Sequence, residues 1–386
     1  MLKGNMLIAH GGGPTPVINS SLLGAVREAK RYGEIETIYG ARFGAEGILA
    51  GDLIDLGAVP DEQLDLLART PASAIGSCRR KLTDADYPAV LECFQKFNIR
   101  YFFYNGGNDS MDTCHKVYQL ACQSGYELRV IGITKTIDND LAVTDHCPGF
   151  GSAAKYAAVS ALELAQDAAS LPIHVVVMEL MGRNAGWITA ASALFAHLMP
   201  CEHLVYLPET DFDKEEFLAA VREKWARGRG LLVTVSEGIH YAGGAPVADS
   251  GIVDGFGHKV PGGAAQTLSD MIMAETGIKS RSEKPGLLGR VSVALMSQVD
   301  REEAEVAGAT AVRSAVEGKT GYMVGFQTRR EGGYHSETTL VPLAEVANAE
   351  KTFPLEWITP GGVTDAFRDY CLPLIGDYDS RFVSLR

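Results

Sequence analysis

The sequence predicts an α/β fold built on mainly parallel sheet, covered by helices on both faces. Three observations carry that reading. Strand-like and helix-like segments alternate from one end of the chain to the other. Strands such as VVVMEL and LLVTVS are apolar on both faces, which suits a sheet buried on both sides. Glycine-rich turns and polar clusters fall after strand ends, where open α/β sheets bind their ligands. The length of 386 residues and a hydrophobic content of 46% suit two globular domains or one large one.

The elements follow in order. Asn5–His10 reads as a strand and Val17–Arg31 as a helix. Arg100–Tyr104 is the next clear strand, followed by a helix over Asp109–Gln123. Arg129–Thr134 is a strand, and Ser152–Ala169 a helix after a glycine-containing loop. His174–Leu180, Glu202–Leu207 and Gly230–Glu237 are further strands with helices between them. The tail DAFRDYCLPLIG reads as a packed helix and turn. Neither a short repeat nor a low-complexity linker interrupts the pattern.

The net charge of −13 argues against a general binder of nucleic acid or anionic membrane, and leaves room for a local basic pocket. No apolar run approaches a membrane span. The opening MLKGNMLIAHGGG reads as a first strand rather than a signal peptide. Seven scattered cysteines without a CxxC pair suit reduced thiols and a cytoplasmic protein. In HLMPCEH, His197, Cys201 and His203 have a faint metal-like spacing, but no fourth ligand is evident and the flanks read as helix end, turn and strand.

Six stretches carry candidate chemistry. GGGPTPVIN (Gly11–Asn19) could cradle an anion with backbone N–H groups, or be a tight strand-to-helix turn. GGNDS (Gly106–Ser110) could do the same, or simply cap a helix. TKTIDND (Thr134–Asp140) packs a lysine, two threonines and two aspartates at a strand end. There Asp138 could take a proton from a hydroxyl, and Lys135 could neutralise a transferring phosphoryl group. Arg183 in MELMGRNAG could fork onto phosphate or carboxylate, and Glu237 in VSEGIH could accept sugar hydroxyls; each could equally be a salt bridge. GSCRRK (Gly76–Lys81) sets three cations in a glycine turn, which could also be a solvated loop.

Taken together and in this order, these pieces resemble the phosphofructokinase family. The resemblance rests on GG(x)₂PxxN at Gly12–Asn19, GSxR at Gly76–Arg79, GGNDS, KTIDND, GFGSA at Gly149–Ala153, MGR at Met181–Arg183 and SEG at Ser236–Gly238. LG at Leu288–Gly289 and MVGF at Met323–Phe326 extend it over most of the chain. It implies two similar doubly wound domains with the active site in the cleft between them, and a homodimer or homotetramer. Residues 1–148 plus about 291–340 would hold the donor, and 149–290 plus about 341–386 the sugar phosphate. Asp138 would be the general base. Gly12, Arg79, Gly107, Asn108 and Ser110 would hold the donor, and Asn108 and Asp140 would hold Mg²⁺. Thr136, Met181, Gly182, Arg183, Glu237, Lys284 and Arg290 would hold the acceptor.

Two positions in this resemblance bear on the donor. Members that use ATP have glycine where this chain has Asp109 and Lys135; members that use pyrophosphate have Asp and Lys. Asp109 would occupy the space and field of the ATP α-phosphate. Two unit charges about 4 Å apart at an effective dielectric of 20 repel by roughly 4 kcal/mol. That is about a thousandfold against ATP. The expected reaction is therefore reversible phosphoryl transfer from pyrophosphate to the 1-hydroxyl of fructose 6-phosphate.

The chain departs from the family pattern in places. Asn108 replaces an aspartate beside the metal, offering a neutral oxygen that hard cations favour less. Thr134 replaces a common proline. His174 and Val293 stand where arginines that grip the 6-phosphate are common. The acceptor thus stays open to another sugar phosphate, such as sedoheptulose 7-phosphate, or to a polyol. A non-catalytic sugar-phosphate sensor is the alternative from another class, against which the Lys135–Asp138–Asp140 set argues. A nicotinamide-dependent dehydrogenase lacks support, since GxGxxG is absent.

Overall fold

The computed structural model describes residues 2–253, 259–347, 349–383 and 385. The chain forms two compact units, Met1–Ser152 with Arg290–Lys351, and Ala153–Gly289 with Thr352–Arg386. The returning segment of the first unit begins at Arg290 and runs past the boundary near 340 that the sequence suggested. Leu343 and Val346 explain the extension, because both are buried in the first unit's core.

The first unit is built on a seven-stranded sheet in the order His335–Pro342, Tyr322–Arg329, Arg129–Thr134, Ile99–Gly106, Gly4–His10, Ile35–Ala41, Leu53–Asp55. The five central strands are parallel, and only the two edge strands run antiparallel. Side chains alternate between the two faces, as a strand's period of two requires. Met6, Ile8, Tyr101 and Phe103 pack with Leu22, Val26, Ala311 and Val312 on one face. Leu7, Ala9, Phe102 and Tyr104 pack with Phe94, Met111, Cys114 and Val117 on the other.

Helix Ile18–Ala29 lies against helix Gln298–Val316, although 280 positions separate their starts, so the first unit closes only when the chain returns. The two helices approach so closely that a Cβ on Gly24 would sit 1.9 Å from the Glu305 carbonyl oxygen. Strand order changes direction between Gly4–His10 and Ile99–Gly106, whose neighbours in sequence lie on opposite sides. Such a switch point leaves a crevice at the strands' carboxyl ends. The Gly11–Asn19 and Gly106–Ser110 stretches both open there, after Gly4–His10 and within the end of Ile99–Gly106.

The second unit has a four-stranded parallel sheet in the order Ser280–Glu283, Val175–Leu180, Leu231–Ser236, Glu202–Tyr206. Every residue of Val175–Leu180 and Leu231–Ser236 is buried, as strands apolar on both faces should be. Phe217, Leu218, Val221 and Leu268 cover the core face around Val177 and Val233. The expected tail helix forms as Asp365–Ile375. Its Phe367 and Tyr370 join Trp187, Phe353 and Trp357 in an aromatic cluster with ring centroids 5.0–6.4 Å apart.

Candidate active site

The first unit gathers the donor-side candidates at its switch point. Gly12 turns with φ of 75°, its N–H donates to the Cys78 carbonyl at 2.9 Å, and its own carbonyl accepts from Ser77 Oγ at 2.7 Å. The glycine loop and the Gly76–Lys81 turn are thereby laced together. Asn19 adds three bonds from a fully buried position. Its amide donates to the Thr70 and Ala72 carbonyls and its oxygen accepts from Ala74 N–H, which fixes the approach to Arg79.

The three cations of GSCRRK go three ways. Arg80 pairs with Glu46 and Asp86, so it is structural. Lys81 lies 3.5 Å from Asp109. Arg79 reaches Gly13, where its Nη2 would be 3.3 Å from an added Cβ. Arg290 arrives at the same place, with Nη1 2.9 Å from that position. The sequence expectation put Arg290 at the end of the acceptor domain; the fold instead carries it into the first unit, against Gly13. Burial lowers its guanidinium, the Arg79 charge lowers it further, and Asp138 acts the other way.

Lys135 completes this cationic group. It is buried and donates to the Gly13 carbonyl at 2.7 Å. Burial pulls its ammonium down to about 8, Asp138 and Asp140 oppose the fall, and Arg79 and Arg290 add to it. Three cations within reach of one glycine loop, two of them depressed by burial, make a built site for a compact polyanion.

The carboxylates stand beside it. Asp138 is half-buried, and its N–H donates to Thr136 Oγ1 at 3.1 Å. Asn108 Nδ2 donates to Asp140 Oδ2 at 3.0 Å. The remaining oxygens of that pair, Asn108 Oδ1 and Asp140 Oδ1, are buried and have no hydrogen-bond partner. Two buried, unpaired oxygens on side chains that are hydrogen-bonded to each other suit a hard cation that takes its other ligands from water and substrate. Among the described residues there is no group of three or more His, Cys, Asp or Glu that could hold a metal alone. His197 meets Arg368, and His203 meets Thr234.

Asp109 occupies the first turn of helix Asn108–Ser124 and is exposed. It does not cap that helix: Gly107 is the N-cap, and no side chain bonds the free amides. Those amides and the positive end of the helix would attract an anion, and Asp109 opposes one. Ser110 is buried and packs into the space that side chains on Gly11 and Gly106 would need. That places its hydroxyl beneath the glycine loop. The GFGSA amides are likewise taken. Gly149 N–H, Ser152 N–H and Ser152 Oγ all donate to the buried carboxylate of Asp300, at 2.5–2.8 Å. The S-x-x-D spacing of Ser297 and Asp300 was the only sequence signal for that residue.

The second unit gathers the acceptor-side candidates. Met181–Arg183 follow strand Val175–Leu180, and Glu237 follows Leu231–Ser236, its parallel neighbour. Ser236 Oγ donates to the Gly182 carbonyl, and Glu237 N–H donates to the Leu180 carbonyl at 3.0 Å. A Cβ on Gly238 would lie 1.8 Å from the Arg183 carbonyl, so the two turns are in direct contact. Burial raises the Glu237 carboxyl; the Gly182 amide opposes that, the Glu179 charge adds to it, and Lys284 and Arg183 oppose it. Lys284 Nζ lies 2.6 Å from Glu179. Arg183 is exposed. His174 is buried just before strand Val175–Leu180, at the opposite end from the MGR turn. At about 3.3 Å per residue the strand separates the two by roughly 20 Å.

Comparison with known proteins shows the family. The family model described as Phosphofructokinase matches residues 5–315. A pyrophosphate–fructose 6-phosphate 1-phosphotransferase of Methylococcus capsulatus is 43% identical over 392 residues, covering 98% of this chain and 93% of that protein. The enzyme of the same name from Halomonas elongata is 41% identical over 391 residues, with the same two coverages. The crystal structure of a pyrophosphate-dependent phosphofructokinase from Nitrosospira multiformis superposes with a TM-score of 0.88 at 38% identity, covering 99% of this chain and 94% of that one. With its family model spanning most of the length and relatives of this closeness, the chain belongs to the phosphofructokinase family.

Proposed function

We propose that this protein transfers a phosphoryl group reversibly between pyrophosphate and the 1-hydroxyl of fructose 6-phosphate. The observation that carries the reading is the convergence of Lys135, Arg79 and Arg290 on the Gly13 turn, with Asp138 beside them. The first unit takes the donor role and the second the sugar phosphate. Relatives named for this reaction at over 40% identity support both substrates.

Asp138 accepts the proton of the attacking hydroxyl. Lys135 and the two arginines hold the pyrophosphate and offset charge as it shifts onto the leaving phosphate. Gly12 and Gly107 let backbone approach the donor, and Asp109 disfavours the longer ATP. Thr136, Met181, Gly182, Arg183, Glu237 and Lys284 orient the sugar phosphate. Asn108 Oδ1 and Asp140 Oδ1 are the oxygens that would hold Mg²⁺, which when bound neutralises pyrophosphate charge. All seven cysteines are free thiols, which supports a cytoplasmic setting. None of the described helices is long and apolar enough to cross a membrane. The protein is proposed to act as a homodimer or homotetramer.

The test is phosphate release by purified protein with Mg²⁺ and pyrophosphate over a panel of acceptors, with ATP as the parallel donor. Turnover with fructose 6-phosphate and pyrophosphate supports the proposal. Turnover with sedoheptulose 7-phosphate or a polyol alone keeps the donor and reassigns the acceptor. Asp138→Ala should lower kcat by more than about a hundredfold with the fold intact by circular dichroism. A loss under about tenfold, or 1.4 kcal/mol, removes Asp138 as the base.

A further inference from the structure

The loop from Thr136 to Cys147 carries Asp138 and Asp140 without regular secondary structure. It also carries two residues in the left-handed region, Asn139 at φ 54° and Val143 at φ 60°. Non-glycine residues pay for that conformation and keep it only where their surroundings impose it. The far half of the loop is held by strand Tyr322–Arg329. There Asp145 N–H donates to the Phe326 carbonyl at 3.0 Å, and Phe326 N–H donates to Thr144 Oγ1 at 2.8 Å.

The near half, which bears the two aspartates, is held from a segment about two hundred positions away in sequence. Lys351 N–H donates to the Asp140 carbonyl at 2.7 Å, and Glu350 bridges Leu141 in antiparallel register. The Lys351 side chain then turns into the loop. Its Nζ donates to the Asp145 carbonyl at 2.8 Å and to the Thr144 carbonyl at 3.2 Å, and stands 3.5 Å from Asn139 Oδ1. That same Asn139 oxygen accepts from Cys147 N–H at 3.0 Å, and Asn139 is fully buried. One ammonium group therefore touches the loop on both sides of Asp140. Burial lowers it from the ordinary lysine range, while Cys147, Asp145 and Asp140 draw it back.

We propose that Lys351 is a positioning residue for this loop, holding the Asn139 turn so that Asp138 and Asp140 present their carboxylates to donor and acceptor. It touches no reacting atom, and acts through the loop backbone. The inference rests on the function proposed above, because only that reading gives Asp138 and Asp140 their tasks. Nothing in the sequence around AEKTF marks the residue.

The experiment compares the full-length protein with Lys351→Met, which keeps the apolar stem and removes the charge and the donors. Melting temperature, kcat, both KM values and amide exchange over residues 136–147 are measured. The expected result is a folded variant with kcat lower by about tenfold or more. KM for fructose 6-phosphate should stay within about threefold, and exchange should accelerate at 139–145 alone. Lys351→Arg should recover part of the lost kcat, since it restores charge and donors. A folded Lys351→Met protein with kcat near the parent value overturns the proposal, as does a lowered melting temperature with unchanged exchange in the loop. Where the methionine variant does not fold, Lys351→Gln, with an amide donor on a similar stem, is read by the same criteria. If the parent protein turns over no substrate, the function fails by itself. Exchange confined to, or absent from, 139–145 then still decides whether Lys351 holds the loop.

Discussion

At the scale of single residues, the donor side sets charge against charge. Asp109 stands in the first turn of a helix whose free amides would otherwise welcome a phosphate. Replacing it by glycine should let ATP in. The ratio of kcat/KM for pyrophosphate to that for ATP should fall by up to about a thousandfold, as a like-charge repulsion of roughly 4 kcal/mol implies. An unchanged ratio would mean that Asp109 does no more than pair with Lys81. Lys135 makes a separate prediction in pH. Its folded value of about 8 lies below that of an ordinary lysine, so its charge is present below pH 8 and is lost as pH rises through it. A bound anion favours the charged form, so pyrophosphate binding should weaken above pH 8 and be accompanied there by proton uptake. Calorimetry in two buffers of different ionisation enthalpy would show the uptake, and Lys135→Met should abolish it.

Among the elements, the closest fit is between helices Ile18–Ala29 and Gln298–Val316. Gly24 faces the Glu305 carbonyl, and Gly308 faces the Ser21 carbonyl, with no room for a side chain at either. Gly24→Ala should push the helices apart and lower stability by about 1–3 kcal/mol, read from denaturant midpoints. The effect should reach the donor site, because Ile18–Ala29 leads directly out of the Gly11–Asn19 stretch. A neutral Gly24→Ala would show that the helix pair can slide without loss. Strand-end turns in the second unit show the same economy. The Ser236–Gly238 turn and the Gly182–Arg183 turn touch through backbone, so Glu237 and Arg183 are set by two neighbouring strands rather than by loop length.

For the whole molecule, the consequence lies in a chain that leaves its first unit and comes back. Residues 290–351 supply two of the seven strands, a helix of the core and Arg290 itself. A fragment ending at Gly289 leaves Ile131, Ile133 and Leu22 without the partners Val312, Ala315 and Val324. It should fail to give a cooperative thermal transition for the first unit and should bind an apolar dye, whereas the full chain melts cooperatively. A fragment that melts sharply would show that the first segment carries its own core.

The α/β class, the positions of most strands and helices, and the family were all legible in the sequence. Their signals are local: period-two apolar strands, glycine at strand ends, and polar clusters directly behind them. Lys135, Asp138 and Asp140 could be picked out because they crowd into seven residues after an apolar strand. The tertiary structure alone decided which groups share a site. It moved Arg290 to the Gly13 turn, gave the GFGSA amides to Asp300, put Ser110 beneath the glycine loop, and brought Lys351 under the Asp138–Asp140 loop. Each of these depends on a meeting of segments far apart in the chain. Periodicity and turn chemistry report what a residue's near neighbours do, whereas a contact across two hundred residues is fixed only when the sheet closes and the core packs.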